Sequence, residues 1–204
     1  MRFNKKKFIY LISPSKIDKT FYHHLVHVLK QEKVSLFQLR LKKGSFKKKF
    51  IIGKKIKRIC KEFKVKFLVN DNVHLAKKLN ADGCHLGQND MNIQKARKLI
   101  GDKIIGITCH NSIKLAKIAL KNKADYLAFG AFYSTNTKKT KYKPSLEILK
   151  KVGKITKTPI VAIGGINSNN YKKLLLNKAN LLAISGYIWK NKKLKPIEAI
   201  KKLK

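Results

Sequence analysis

Eight short apolar runs punctuate the chain, each rich in residues that favour strands. They are FIYLIS (8–13), SLFQLR (35–40), KFLVN (66–70), GCHL (83–86), IIGIT (104–108), YLAFG (126–130), PIVAIG (159–164) and LLAIS (181–185). The intervening segments keep a helical spacing instead. Phe21, Leu25, Val28 and Leu29 share one face, as do Leu146, Leu149 and Val152, and Leu194, Ile197, Ile200 and Leu203. Phe46, Phe50, Ile56, Ile59 and Phe63 follow the spacing less cleanly. Such alternation predicts strand–helix units. Eight of them in 204 residues predict an α/β fold, a (β/α)8 TIM barrel forming one domain over residues 1–204. A doubly wound sheet competes, but no G-x-G-x-x-G follows the first strand, which weakens a dinucleotide role.

In such a barrel, ligands bind where the strands end. The polar residues at those ends are therefore the candidate site. Strand 2 delivers Gln38, Arg40 and Lys42, and strand 3 delivers Asn70 and Asp71. Gln88 and Asp90 follow strand 4, and Thr108 and His110 close strand 5. Thr135, Thr137 and Lys138 follow strand 6, Gly164 and Gly165 strand 7, and Ser185 and Gly186 strand 8.

Two carboxylates on adjacent strand ends suit Mg2+, which takes one or two carboxylates and completes its shell with water and phosphate oxygens. Asp71 and Asp90 are the candidates. Each also precedes a helix-like segment, VHLAKKL and MNIQKARKL, so each can instead be a helix cap. Arg40 and Lys42 lie two apart, on one side of an extended strand end, and make a fork and a point charge for a diphosphate. Lys42 stands in a lysine run, LKKGSFKKK, and can equally be a solvated charge. GGIN (164–167) offers close backbone approach to a phosphate, and a helix starting near Asn167 would add its dipole. SGY (185–187) offers the same after strand 8. Residues 132–144 form a long polar loop, either a lid or only a basic connection.

Charge changes the picture little. Lys and Arg number 49 against 10 Asp and Glu, for a net charge of +39. That excess invites a polyanion partner, RNA or anionic lipid. Only four of the cations are arginines, however, and the lysines run along the whole chain. Solvated helix faces account for such a distribution, and neither specific nucleic acid nor membrane is expected as a partner. Cys60, Cys84 and Cys109 form no CxxC pair and sit in apolar settings, as buried thiols in a reducing compartment do. Phe8–Ile12 is too short for a signal peptide, so a cytoplasmic chain is expected. A homo-oligomer is compatible with all of this.

The motifs, in order, resemble the thiamine-phosphate synthase family. Its Q-x-R-x-K appears as QLRLK (38–42), its N-D as Asn70–Asp71, and its A-D-G-x-H-L-G-Q-x-D as ADGCHLGQND (81–90). Its G-x-S-x-H appears as GITCH (106–110), its T-x-T/S-K as TNTK (135–138), and its A-I-G-G-I as AIGGI (162–166). The resemblance implies a barrel that joins hydroxymethylpyrimidine diphosphate to hydroxyethylthiazole phosphate, releasing pyrophosphate with Mg2+. It implies that Asp71 and Asp90 hold the metal. Gln38, Arg40, Lys42, Asn70, Thr108 and Lys138 would bind the pyrimidine diphosphate. Thr135, Thr137, Gly165, Ser185 and Gly186 would bind the thiazole phosphate. Arg40, Lys42 and Lys138 would assist departure of the diphosphate.

Some positions depart from the pattern. Leu41 replaces a usual Glu, Ala131 and Ser134 replace prolines, and Thr140 stands where Asp often follows the lysines. Thr108 replaces Ser and keeps the hydroxyl; Gly186 replaces Ser and keeps only a backbone donor. Two other functions compete: a related thiazole tautomerase, with His110 as its residue to watch, and a basic polyanion binder with an idle barrel.

Overall fold

The computed structural model describes residues 6–135 and 141–204. In chain order its elements are β1 (Ile9–Ile12), α1 (Lys19–Leu29), β2 (Val34–Leu39), α2 (Phe46–Glu62), β3 (Lys66–Asn70) and α3 (Val73–Lys78). There follow β4 (Gly83–Leu86), α4 (Ile93–Ile100), β5 (Ile104–His110), α5 (Ile113–Lys121), β6 (Tyr126–Gly130) and α6 (Glu147–Ile155). β7 (Ile160–Ile163), α7 (Tyr171–Leu176), β8 (Leu181–Ile184), α8 (Gly186–Trp189) and α9 (Pro196–Lys201) complete the order. The eight strands are all parallel and close in sequence order, with β8 pairing back onto β1. The predicted barrel is therefore observed. No described helix is long and apolar enough to cross a membrane.

Alternation along each strand separates two cores. Tyr10, Ile12, Leu36, Leu68, Tyr126, Ala128, Val161, Leu181 and Ala183 fill the barrel interior. Their neighbours, such as Ile9, Leu11, Phe37, Leu39, Phe67 and Val69, face out against the helices. Phe21, Leu25, Val28 and Leu29 of α1 are all buried in that outer layer, each contributing about 2 kcal/mol on removal from water. Lysines take the opposite faces: in α2, Lys54 and Lys55 are exposed beside buried Gly53 and Ile56. The spacing misplaced Phe46, which opens α2 and is 47% exposed. The inward face of α2 is instead Gly53, Ile56, Ile59 and Cys60.

A repeated device ties the lower end of the barrel together. Asp82 accepts from the backbone N–H of Phe67 at 2.9 Å, Asp125 from Ile105 at 2.8 Å, and Asn180 from Ile160 at 2.8 Å. Each acid or amide precedes one strand and anchors the start of the strand before it. Lys66 pairs with Asp82 and Arg97 with Asp125, which keeps these carboxylates satisfied. Two of the chain's ten acids are thus structural, at the end remote from the mouth.

All three cysteines are buried free thiols. Burial pushes the thiols of Cys84 and Cys109 up to about 12, so neither supplies a thiolate nucleophile near neutral pH.

Candidate active site

The strands end around a cavity of about 710 Å³. Gln38, Arg40, Lys42, Asn70, Asp71 and Asp90 line one side of it. Thr108, Thr135 and Ser185 line the other, with Gln88 and His110 between the two groups. Nine of the thirteen residues predicted from the sequence therefore line one cavity. Thr137 and Lys138 lie outside the described residues. Gly165 and Gly186 are described but stand back from the wall, where Gly164 and Ser185 take the adjacent places.

Neither acid serves as a helix cap. Asn72 caps α3, its side chain accepting from Leu75 N at 2.8 Å. Asn92 caps α4, accepting from Lys95 N at 2.9 Å. Asp71 and Asp90 each stand just outside a helix that another residue has already capped. Accordingly, Asn72→Ala and Asn92→Ala should each lower thermal stability by about 1 kcal/mol, the usual worth of a cap. Asp71→Ala should leave helix stability nearly unchanged, and thermal unfolding of the variants checks this difference.

Asp71 is delivered by a sharp turn. It adopts φ 62°, the left-handed region that Asp tolerates better than most residues. Its N–H bonds to His85 O at 2.8 Å, which fixes the turn to β4. Its carboxylate accepts a hydrogen bond from Lys42 and shares the cavity lining with Asp90. Asp90 accepts from Gly87 N at 2.7 Å, which folds its side chain back over the end of β4. Burial raises the Asp71 carboxyl, but the Lys42 hydrogen bond and charge outweigh burial and hold it below its ordinary value. Asp90 goes the other way. Burial pushes it up, and the facing Asp71 carboxylate adds to that, against the Gly87 hydrogen bond. Two carboxylates so close repel unless a proton or a cation lies between them.

That donor set can be tested for Mg2+. It offers hard oxygen donors and open cavity on the other side. Among the described residues no group of three or more His, Cys, Asp or Glu is placed to hold a metal, so the pair would leave most of an ion's shell to other oxygens. Two carboxylates plus phosphate and water oxygens are what Mg2+ takes, and the residues fit it.

Arg40 reaches the wall at the end of β2, and Ser13 Oγ accepts from its backbone N–H at 2.9 Å. Ser185 Oγ in turn donates to Ser13 O at 3.2 Å, so Ser13 ties both sides of the mouth. Leu41, the departure from the usual Glu, lines a smaller adjoining cavity of about 160 Å³ with Leu39 and Leu75, which shares Lys42, Asn70 and Asp71 with the main one.

The glycine pair differs from expectation. Residues after Ile166 form a turn in which Asn170 Oδ1 accepts from Asn167 N at 2.9 Å and Asn167 Oδ1 from Asn169 N at 2.8 Å. Asn side chains compete with helix formation in this way. α7 starts only at Tyr171 and is six residues long, so the helix dipole expected near Asn167 is displaced. Gly164 and Gly165 instead seat the loop after β6. Phe132 and Tyr133 donate to Ile163 O and Gly164 O, both at 3.1 Å, and Ala131 donates to Tyr142 O at 3.1 Å. These bonds hold Thr135 at the cavity edge. His110 has φ 54° and its ring stacks on Tyr142 at 4.0 Å, closing another edge.

The sequence reading missed Ser13, Tyr10 and Tyr126, and gave His85 no definite task. Tyr10 and Tyr126 were legible only as apolar strand residues, because their hydroxyls meet across the barrel.

Comparison with known proteins agrees with this geometry. The thiamine monophosphate synthase family model matches residues 9–188. A thiamine-phosphate synthase from Pelagibacter ubique is 67% identical over the full length of both chains. One from Erythrobacter litoralis is 39% identical, covering 89% of this chain and 87% of its own. The solved thiamine phosphate pyrophosphorylase from Pyrococcus furiosus superposes with a TM-score of 0.85 at 28% identity, over 98% of this chain and 94% of that one. A parallel barrel whose mouth gathers the family's acids and cations, matched over nearly its whole length, is an enzyme, and the chain belongs to the thiamine-phosphate synthase family.

Proposed function

We propose that the enzyme joins hydroxymethylpyrimidine diphosphate to hydroxyethylthiazole phosphate by a dissociative route, giving thiamine phosphate and pyrophosphate. The observation that carries this reading is the pair Asp71 and Asp90, neither of them used as a helix cap, which line one cavity together with Lys42 at the barrel rim. Asp71 and Asp90 would hold Mg2+. When bound, the ion neutralises charge on the diphosphate, to which the two acids alone would be hostile.

The remaining work falls to the chain itself. Arg40 offers a planar fork and Lys42 a compact charge to the diphosphate oxygens. Gln38, Asn70 and Thr108 meet the pyrimidine portion. The carbon–oxygen bond to the diphosphate breaks, and its electron pair leaves with pyrophosphate. The resulting pyrimidinylmethyl cation is captured by the lone pair of the thiazole nitrogen, which forms the new carbon–nitrogen bond. Thr135, Ser185 and the glycine loops hold the thiazole phosphate beside it. The small apolar floor, Ala128, Val161 and Ala183, limits water that would trap the cation instead.

Pyrophosphate release from the purified protein with both substrates and Mg2+ tests the assignment. No release from folded protein rejects it. Arg40→Ala should lower kcat/KM for the pyrimidine diphosphate by about 10²-fold, the scale of losing one preorganised charge stabiliser. Arg40→Lys should recover only part of that, since an ammonium cannot replace the fork. Full recovery by lysine would contradict the bidentate role.

A further inference from the structure

Beneath the mouth, a chain of hydrogen bonds crosses the barrel interior. Gln38 Nε2 donates to Tyr10 Oη at 2.5 Å, and Tyr10 Oη lies 2.8 Å from Tyr126 Oη. Tyr126 Oη lies 2.9 Å from His85 Nδ1, and His85 Nε2 lies 2.9 Å from Thr108 Oγ1. The chain draws on β1, β2, β4, β5 and β6, and both of its ends, Gln38 and Thr108, open on the cavity. Tyr10 is 1% exposed and Tyr126 0%. Gly106 leaves room for the Tyr126 ring: a Cβ there would lie 1.8 Å from it.

Proton counting restricts such a chain. Each hydroxyl has one proton to give, and a neutral imidazole has one N–H and one lone pair. In one sense Gln38 gives to Tyr10, Tyr10 to Tyr126, Tyr126 to His85 Nδ1, and His85 Nε2–H to Thr108. Gln38 then keeps its carbonyl oxygen for the cavity, and Thr108 keeps its O–H to give. In the other sense every link reverses and both ends exchange character. Tyr10 and His85 also border the cavity, whereas Tyr126 lies wholly beneath it. A mixed order either opposes two protons or two lone pairs or leaves a hydroxyl proton unmet, which is most costly at the fully buried Tyr126.

We propose that Tyr10, Tyr126 and His85 are positioning residues that force Gln38 and Thr108 to present opposite hydrogen-bonding characters to one ligand. This deepens the synthase reading and rests on it. The ligand class that matches is a flat nitrogen heterocycle with an amino donor and a ring-nitrogen acceptor, which is the aminopyrimidine half of the substrate pair. An amide that meets Tyr10 with its N–H presents its carbonyl to the amino group, and the relay then leaves a donor at Thr108 for the ring nitrogen.

Tyr126→Phe cuts the relay at its centre and keeps the ring. The expected result is a KM for the pyrimidine diphosphate raised about tenfold, the scale of one lost buried hydrogen bond, with KM for the thiazole phosphate within about twofold of wild type. Tyr10→Phe should move the same constant in the same direction. Nitrogen-15 shifts of His85 give a second readout without turnover: one tautomer, protonated at Nε2, in wild type, and a mixture in Tyr126→Phe. Equal changes in both KM values, no change in either, or an equally fixed tautomer in the variant would overturn the proposal. If wild type released no pyrophosphate, the synthase reading would fail, while the tautomer comparison would still judge the relay.

Discussion

Asp71→Ala and Asp90→Ala should each lower kcat by about 10²- to 10³-fold, with half-saturation shifted to higher Mg2+. The two positions should differ once stability is measured beside activity. Asp71 is held ionised by Lys42, so removing it leaves that ammonium without its partner at the rim. Asp90 faces the Asp71 carboxylate and is pushed upward. Asp90→Asn keeps an oxygen for the Gly87 N–H and turns an amide towards Asp71. It should therefore unfold at the wild-type temperature or above in metal-free buffer, while losing activity. A group raised in the folded state binds its proton more tightly folded than unfolded. Its contribution falls as pH rises from the ordinary carboxylate value through the higher folded one. Asp71 has the opposite sign, contributing stability that is lost as pH falls below its ordinary value. Thermal unfolding against pH should thus show the Asp90-dependent loss in wild type and not in Asp90→Asn. An Asp90→Asn variant as active as wild type would remove this carboxylate from the proposed metal site.

Much of this was legible beforehand because barrels write themselves into local patterns. Three strands, Lys66–Asn70, Gly83–Leu86 and Tyr126–Gly130, are observed with their predicted limits, since turn residues bracket each apolar run. β5 extends two residues past its expected end, to His110, and so carries that ring to the rim. The stretch 81–90 illustrates both the reach and the limit of pattern reading. Its two acids look alike in sequence, yet Asp82 ties down β3 at one end of the barrel and Asp90 meets Asp71 at the other. The intervening strand, four residues of about 3.3 Å rise each, makes that separation inevitable. What stayed hidden depends on residues far apart in the chain. Tyr10 and Tyr126 are 116 positions apart, and only closure of the barrel brings their hydroxyls together. The cap assignments were missed for a local reason. Asn72 and Asn92 stand one and two residues beyond the acids and cap equally well.

Gly165→Val should damage the thiazole-phosphate side of the site through the loop after β6. Gly165 has φ 62°, and a Cβ there would lie 2.4 Å from Ser134 O and 2.7 Å from Tyr133 Cβ. A valine adds left-handed strain, about 1–2 kcal/mol, to a collision with backbone that has no soft end to bend away. The loop must shift, and Thr135 at the cavity edge shifts with it. KM for the thiazole phosphate should rise at least about tenfold, the effect of roughly 1.4 kcal/mol in that contact set. KM for the pyrimidine diphosphate, bound on the β2–β4 side, should change far less. Gly101→Ala separates the two causes. Gly101 also has positive φ, 59°, but nothing lies within 4 Å of its would-be Cβ. It ends α4 at the far side of that helix from Asp90, so its variant should lose stability and keep both KM values. Equal losses of thiazole-phosphate affinity in Gly101→Ala and Gly165→Val would mean that backbone strain alone weakens the site. An unaltered KM in Gly165→Val would mean that the loop seated on Gly164 and Gly165 does not shape the phosphate cradle.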